Sequence, residues 1–289
     1  MSDVTTAWNG QAALGEGPVW DAARGCLWFV DIKRQHVHRL VEGQPPQRWD
    51  APAPIGWVLP AADGTLLAGL KTGLARFDPV GGSFTHLHDP EPELPGNRLN
   101  DATVAPDGTV WFGTMDDGEQ AATGRVHRFD GTRVTTTALP AVTITNGPAV
   151  SPDGTRLYHV DTVGGVIHAV TIDADGGTGA MRPFVRIDPA DGHPDGVSVD
   201  AAGNLWVALW GGGGARRYTP DGSLSVEVRL PAANITKIAL GGKDGLTAYA
   251  TSASVGLDED ARAAQPEAGN VFAFRVDVPA LPQVYARIG

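Results

Sequence analysis

The chain has 289 residues, 38 of them Gly and 22 Pro, with 19% charged residues and a formal net charge of −11. Acidity without clustered Lys and Arg argues against a nucleic-acid partner, no apolar run approaches the roughly 20 residues that span a bilayer, and the lone Cys26 cannot form an internal disulfide. The balance is compatible with cation binding or a small neutral ligand, on a chain whose scattered Gly and Pro predict many short elements joined by turns.

The N-terminal "MSDVTTAWNG" has neither a basic nor an apolar signal region, so a cytoplasmic location is expected. Its "VTTAW" reads as a short strand that can complete a distant sheet. Next, "ARGCLWFVD" joins a turn glycine, Gly25, to a hydrophobic strand that makes Cys26 a core residue. The unit recurs as "ADGTLLAGL" at Gly64, "PDGTVWFGT" at Gly108, "PDGTRLYHV" at Gly154, "AAGNLWVAL" at Gly203 and "KDGLTAYAT" at Gly245, with spacings of 39, 44, 46, 49 and 42 residues. A period near 44 suits a four-stranded propeller blade.

Segments such as "GRVHRFD", "GGVIHAVTID", "GARRYTPDG" and "GNVFAFRVD" supply third strands, and polar stretches such as "RVTTTALP" the outer edge. No segment keeps a helical period and no linker divides the chain. The prediction is an all-β, six-bladed β-propeller forming a single domain over residues 1–289. An open solenoid is the alternative, because the period alone does not demand ring closure.

Equivalent turns imply equivalent neighbours. Eight residues before the turn glycine stand Gly56, Asn100, Asn146, Asp195 and Lys237, while Glu16 stands nine before Gly25 in a longer turn. If the first strand of each blade lies nearest the axis, Glu16, Asn100, Asn146 and Asp195 converge on one mouth of the channel. Asn-Gly and Asp-Gly also shape ordinary turns, but Glu16 in "GEGP" is a poor turn former. Two carboxylates and amide oxygens gathered on one axis favour a divalent cation with hard oxygen ligands, not a sulfur or imidazole zinc site.

At these residues the chain resembles the gluconolactonase and regucalcin (senescence marker protein) family, nearest its bacterial sugar lactonases such as xylonolactonase. The likeness runs through "LGEGPVWDAARGCLWFVDI", "RLNDATVAPDGTVWFGTM", "TNGPAVSPDG", "PDGVSVDAAGNLWVALW" and "QPEAGNVFAF". It implies a six-bladed propeller with one catalytic divalent cation, be it calcium, zinc, manganese, magnesium or iron(II). By motif it implies Glu16, Asn146 and Asp195 as metal ligands, and Arg98 and Asn100 of "RLND" as substrate contacts. The family's acidic residue after "GTM" falls on Asp117 or Glu119, with Glu119 taken as the substrate contact and a solvated loop charge as the alternative.

The expected reaction is hydrolysis of a sugar lactone to its aldonic acid. The cation would polarise the carbonyl, while Asp195 deprotonates or positions the water. The expected partner is the small lactone alone, with no nucleic acid or membrane, on a monomer. No G-x-S-x-G elbow offers a serine nucleophile. "GGGGARR" lies between strands and reads as a hairpin, since phosphate loops lead into helices. The pairs His36/His38 and His86/His88 fall on outer strands, whereas His193 is placed to line the mouth. Two other readings remain: a metal-containing propeller that binds without turnover, and an esterase on non-sugar substrates with Trp57, Phe112 and Trp210 at an apolar rim.

Overall fold

All six repeat glycines have positive φ, from 58° at Gly25 to 90° at Gly64, a region that glycine enters without steric cost. Each therefore closes a hairpin between the first and second strands of a sheet. The computed structural model describes residues 3–289.

Six four-stranded antiparallel sheets follow, five of them running outward in chain order. Blade 1 holds Gly15–Asp21, Cys26–Asp31, His36–Val41 and Gln47–Asp50, and blade 2 holds Ile55–Pro60, Leu66–Leu70, Gly73–Asp78 and Ser83–His88. Blade 3 holds Asn97–Val104, Val110–Asp116, Val126–Phe129 and Val134–Thr136, the last supplied by the polar segment predicted as an edge. Blade 4 holds Thr145–Val150, Arg156–Asp161, Val166–Ile172 and Thr178–Arg186. Blade 5 holds His193–Val199, Leu205–Trp210, Gly214–Tyr218 and Leu224–Arg229.

Blade 6 takes Ile235–Gly241, Thr247–Ser252 and Val271–Arg275 from the C-terminal part and its outer strand, Thr5–Trp8, from the opposite end of the chain. Thr5 pairs with Ala273 and Trp8 with Val271. The first strand of blade 6 also neighbours that of blade 1, and Thr236 Oγ1 donates to the Gly15 carbonyl at 2.6 Å across the seam. The ring is closed, and the open solenoid is excluded.

The second strands are mostly apolar because each packs two neighbours at once. Successive side chains of a strand point to opposite faces: Leu27 and Phe29 pack on blade 6, while Cys26, Trp28 and Val30 pack on blade 2. Likewise Leu205, Val207 and Leu209 face blade 4, and Trp206 and Ala208 face blade 6. Each of the six blade interfaces has its own hydrophobic cluster among the described residues.

One small element lies outside the strand pattern. A short helix, Glu259–Ala264, interrupts blade 6, capped by Asp258, whose carboxylate accepts from the Ala261 amide at 2.8 Å. Six residues are too few to impose a readable 3.6-residue period on the sequence. No helix among the described residues is long and apolar enough to cross a membrane.

Candidate functional site

Every innermost strand breaks register near the phase position singled out by the repeat. The shifts fall between Glu16 and Val19, Ile55 and Trp57, Leu99 and Ala102, Asn146 and Ala149, Pro194 and Val197, and Ile235 and Lys237. A bulge takes residues out of the ladder and re-aims their side chains. Glu16, Asn100, Asn146 and Asp195 thereby line one cavity of about 410 Å³. All four are at most 5% exposed, a degree of burial that charged groups and amides tolerate only with partners.

Arg98 enters the same cavity from the strand that carries Asn100. Its Nη1 donates to Asn100 Oδ1 at 2.6 Å. Asn100 Nδ2 donates in turn to the Thr145 carbonyl at 2.6 Å and to Asn146 Oδ1 at 2.9 Å, and Asn146 Nδ2 donates to Thr162 Oγ1 at 2.9 Å. This chain of bonds fixes both amides with their oxygens assigned. Asp117 holds Arg98 from behind, with Oδ1 3.2 Å from Arg98 Nε, and is itself held by Lys71 at 2.7 Å.

The two acids after "GTM" therefore separate in space. Glu119 lines the cavity, while Asp117 braces Arg98 and is absent from the cavity wall. His193 and Trp210 also line the cavity. Trp57 and Phe112, considered for an apolar rim, instead fill the core between blades 2 and 3 with ring centroids 6.1 Å apart. His36 and His38 sit in the third strand of blade 1, His86 and His88 in the outer strand of blade 2, and "GGGGARR" forms the hairpin into Gly214–Tyr218.

The electrostatics of the floor are unfavourable as they stand. Burial, then the charge of Asp101, pushes the Glu16 carboxyl up to about 8. Burial, then Glu16 and Asp101, pushes Asp195 well above the usual carboxylate range. Asp195 Oδ1 is buried with no hydrogen-bond partner. A buried acceptor left unpaired costs about 1–3 kcal/mol, more if charged, and a cation is the partner that would relieve it.

Among the described residues no three His, Cys, Asp or Glu side chains come together as a metal cluster. A cation in the cavity could be held by a mixed set of the Glu16 and Asp195 carboxylates with the Asn146 amide oxygen. That oxygen has a second lone pair beyond the one used by Asn100. The donors are all hard oxygens, which fit a divalent ion.

The repeat phase picked out Lys237 but missed its partner on this floor. Asp101, 1% exposed, follows Asn100, and Lys237, at the phase position of blade 6, forms an ion pair with it. An acid inside the apolar run "NDATVAP" is the only hint the sequence offers. Thr162 and the apolar wall of Leu14, Ile32, Met115, Ile144 and Val163 come from loops and strand ends with no shared phase.

Residues 14–254 match the family described as SMP-30/Gluconolactonase/LRE-like region. The chain is 38% identical to an L-arabinolactonase of Azospirillum brasilense over 90% of its length and 87% of that protein. It is 32% identical to a 6-deoxy-6-sulfogluconolactonase of Pseudomonas putida, over 93% of each chain. Among solved structures it superposes on a calcium-binding regucalcin of Agrobacterium tumefaciens with a TM-score of 0.95 at 30% identity, covering 99% of this chain and 98% of that one.

Proposed function

Because the chain belongs to the SMP-30/gluconolactonase/LRE-like family, we propose that it hydrolyses a sugar lactone to the open-chain acid with the help of a divalent cation. The observation that carries this reading is the cavity floor, where the unpartnered Asp195 Oδ1 lies with Glu16 and Asn146 beside the guanidinium of Arg98. Relatives named L-arabinolactonase and 6-deoxy-6-sulfogluconolactonase support the substrate class.

A cation held by Glu16, Asn146 and Asp195 supplies Lewis-acid polarisation of the lactone carbonyl when bound. Arg98, clamped between Asp117 and Asn100, keeps its remaining donors for hydroxyl or carbonyl oxygens of the sugar. Its rigidity matters, since a prepositioned group lowers the entropic cost of reaching the reactive geometry. The Asp195 carboxylate takes the proton of the attacking water as its oxygen adds to the carbonyl carbon, and gives it to the ring oxygen as the acyl C–O bond of the lactone breaks, which leaves the open-chain acid. Glu119 at the wall offers a further acceptor for substrate hydroxyls.

The test is a pH-indicator assay over a panel of pentono- and hexonolactones, using metal-stripped protein with calcium, magnesium, manganese, zinc or iron(II) restored singly. Acid release with at least one cation is expected. No cleavage of any lactone with any cation would overturn the hydrolase reading and leave a propeller that binds without turnover, which the calcium-binding description of the regucalcin neighbour favours.

A further inference from the structure

One side chain lies between the cavity and the second, larger cavity of the ring. Lys237 projects from the innermost strand of blade 6, and Asp101 lies on that of blade 3, the strand that faces it across the six-membered ring. Lys237 Nζ pairs with Asp101 Oδ1 and donates to the Ala102 carbonyl at 3.0 Å. Its stem runs against the backbone next to Asp195: a Cβ on Gly196 would fall 2.6 Å from Lys237 Cβ, so position 196 admits only glycine. The second cavity, of about 660 Å³, is lined by Lys237, and none of the four phase residues of the upper site contributes to it.

The pair also changes the count of charges. Three carboxylates, Glu16, Asp101 and Asp195, are each at most 5% exposed, and Asp101 Oδ2 has no hydrogen-bond partner. Asp101 raises both of the other acids and Lys237 lowers both, so the pair lies within the field of the upper site. Lys237 occupies the same repeat phase as the proposed ligands, yet it brings a positive charge where they bring oxygens.

Resting on the cation reading above, we infer that Lys237 is a positioning residue for the metal: anchored on Asp101, it lies between the two cavities and cancels the one buried carboxylate that the ligand set leaves unused. The site then presents two negative charges and prefers a divalent to a trivalent ion. Removing Lys237 adds a negative charge beside the cation, and removing Asp101 adds a positive one. Each acts in proportion to the charge on the ion.

The experiment titrates chelator-treated, full-length protein with calcium and with terbium(III) by calorimetry, in the wild type, Lys237→Met, Asp101→Asn and the double variant. Lys237→Met is expected to raise the terbium-to-calcium affinity ratio about ten-fold. Asp101→Asn, which leaves Lys237 uncompensated, is expected to weaken calcium about ten-fold, and the double variant to return within about three-fold of wild type. A purely structural role would lower the melting temperature and leave the ratio unchanged, and that result overturns the inference. If Lys237→Met does not fold, Asp101→Asn decides alone: calcium binding equal to wild type overturns it. A wild type that binds no cation overturns the cation reading and the inference together, a result distinct from binding with unmoved ratios.

Discussion

Asn100 and Asn146, on the innermost strands of neighbouring blades, share a hydrogen bond of 2.9 Å from Nδ2 to Oδ1. One amide thus orients the other, and Asn100 simultaneously receives Arg98 at 2.6 Å. Asn100→Ala removes both constraints. Loss of such outer partners typically costs 10–100-fold in metal affinity or activity, so a drop of about that size in kcat/KM and in cation affinity is expected together. Steady-state kinetics and calorimetry on the same preparation check it, and a loss confined to KM would assign Asn100 to substrate alone.

Asp195→Asn separates function from stability. Turnover is expected to fall by about 10³-fold or more, in the range seen when a general base is lost along with its site geometry. The metal-free variant is expected to melt no lower than metal-free wild type, because an amide replaces a buried carboxylate that lacks a partner. Differential scanning calorimetry after chelation tests the second half. Calcium added to wild type should raise its melting temperature, with about 2.7 kcal/mol of stabilisation at a hundred times Kd, and the variant should lose that response.

Acid sensitivity should come from outside the cavity. Burial lowers His38 and His159 to about 4, and His159 has neither ring nitrogen bonded. Both favour the neutral form in the fold, so the unfolded chain binds protons first as pH falls. Their contribution is complete above the unfolded value of about 6.5 and is lost progressively from there to about 4. By pH 5 each is expected to cost on the order of 2 kcal/mol. Urea unfolding at pH 7 and pH 5 measures the loss, and His159→Leu should make it smaller.

Trp206 is 1% exposed and fills the interface of blades 5 and 6 with Phe274, under the guanidinium of Arg217. Trp206→Ala leaves a cavity that the neighbouring sheets cannot close without distorting their ladders. A loss of about 3–5 kcal/mol is expected. The same denaturant curves would show it, and a loss under 1 kcal/mol would mean that this interface collapses freely.

The blades were legible because their chemistry is local. A glycine at positive φ followed by a doubly buried strand writes the same short pattern six times, so the blades could be read from spacing, and the borrowed outer strand from the strand-like residues of "VTTAW". The phase of the candidate site was legible for the same reason: symmetry carries Glu16, Asn100, Asn146 and Asp195 to one place whatever the intervening loops do. The helix Glu259–Ala264 and the wall residue Val163 escaped because nothing repeats them.

Sequence alone, then, was sufficient for blade number and for the shared phase of the acceptors, since each follows from a repeat one blade long, whereas closure of the ring was decided only in the fold. Folding decided what those acceptors meet. It set Glu119 on the cavity wall and Asp117 behind Arg98, two residues apart in the chain, because the turn between them sends their side chains in different directions. It also brought Lys237 to Asp101 from 136 residues away, a pairing that no local pattern encodes, because only closure of the ring puts blades 3 and 6 face to face.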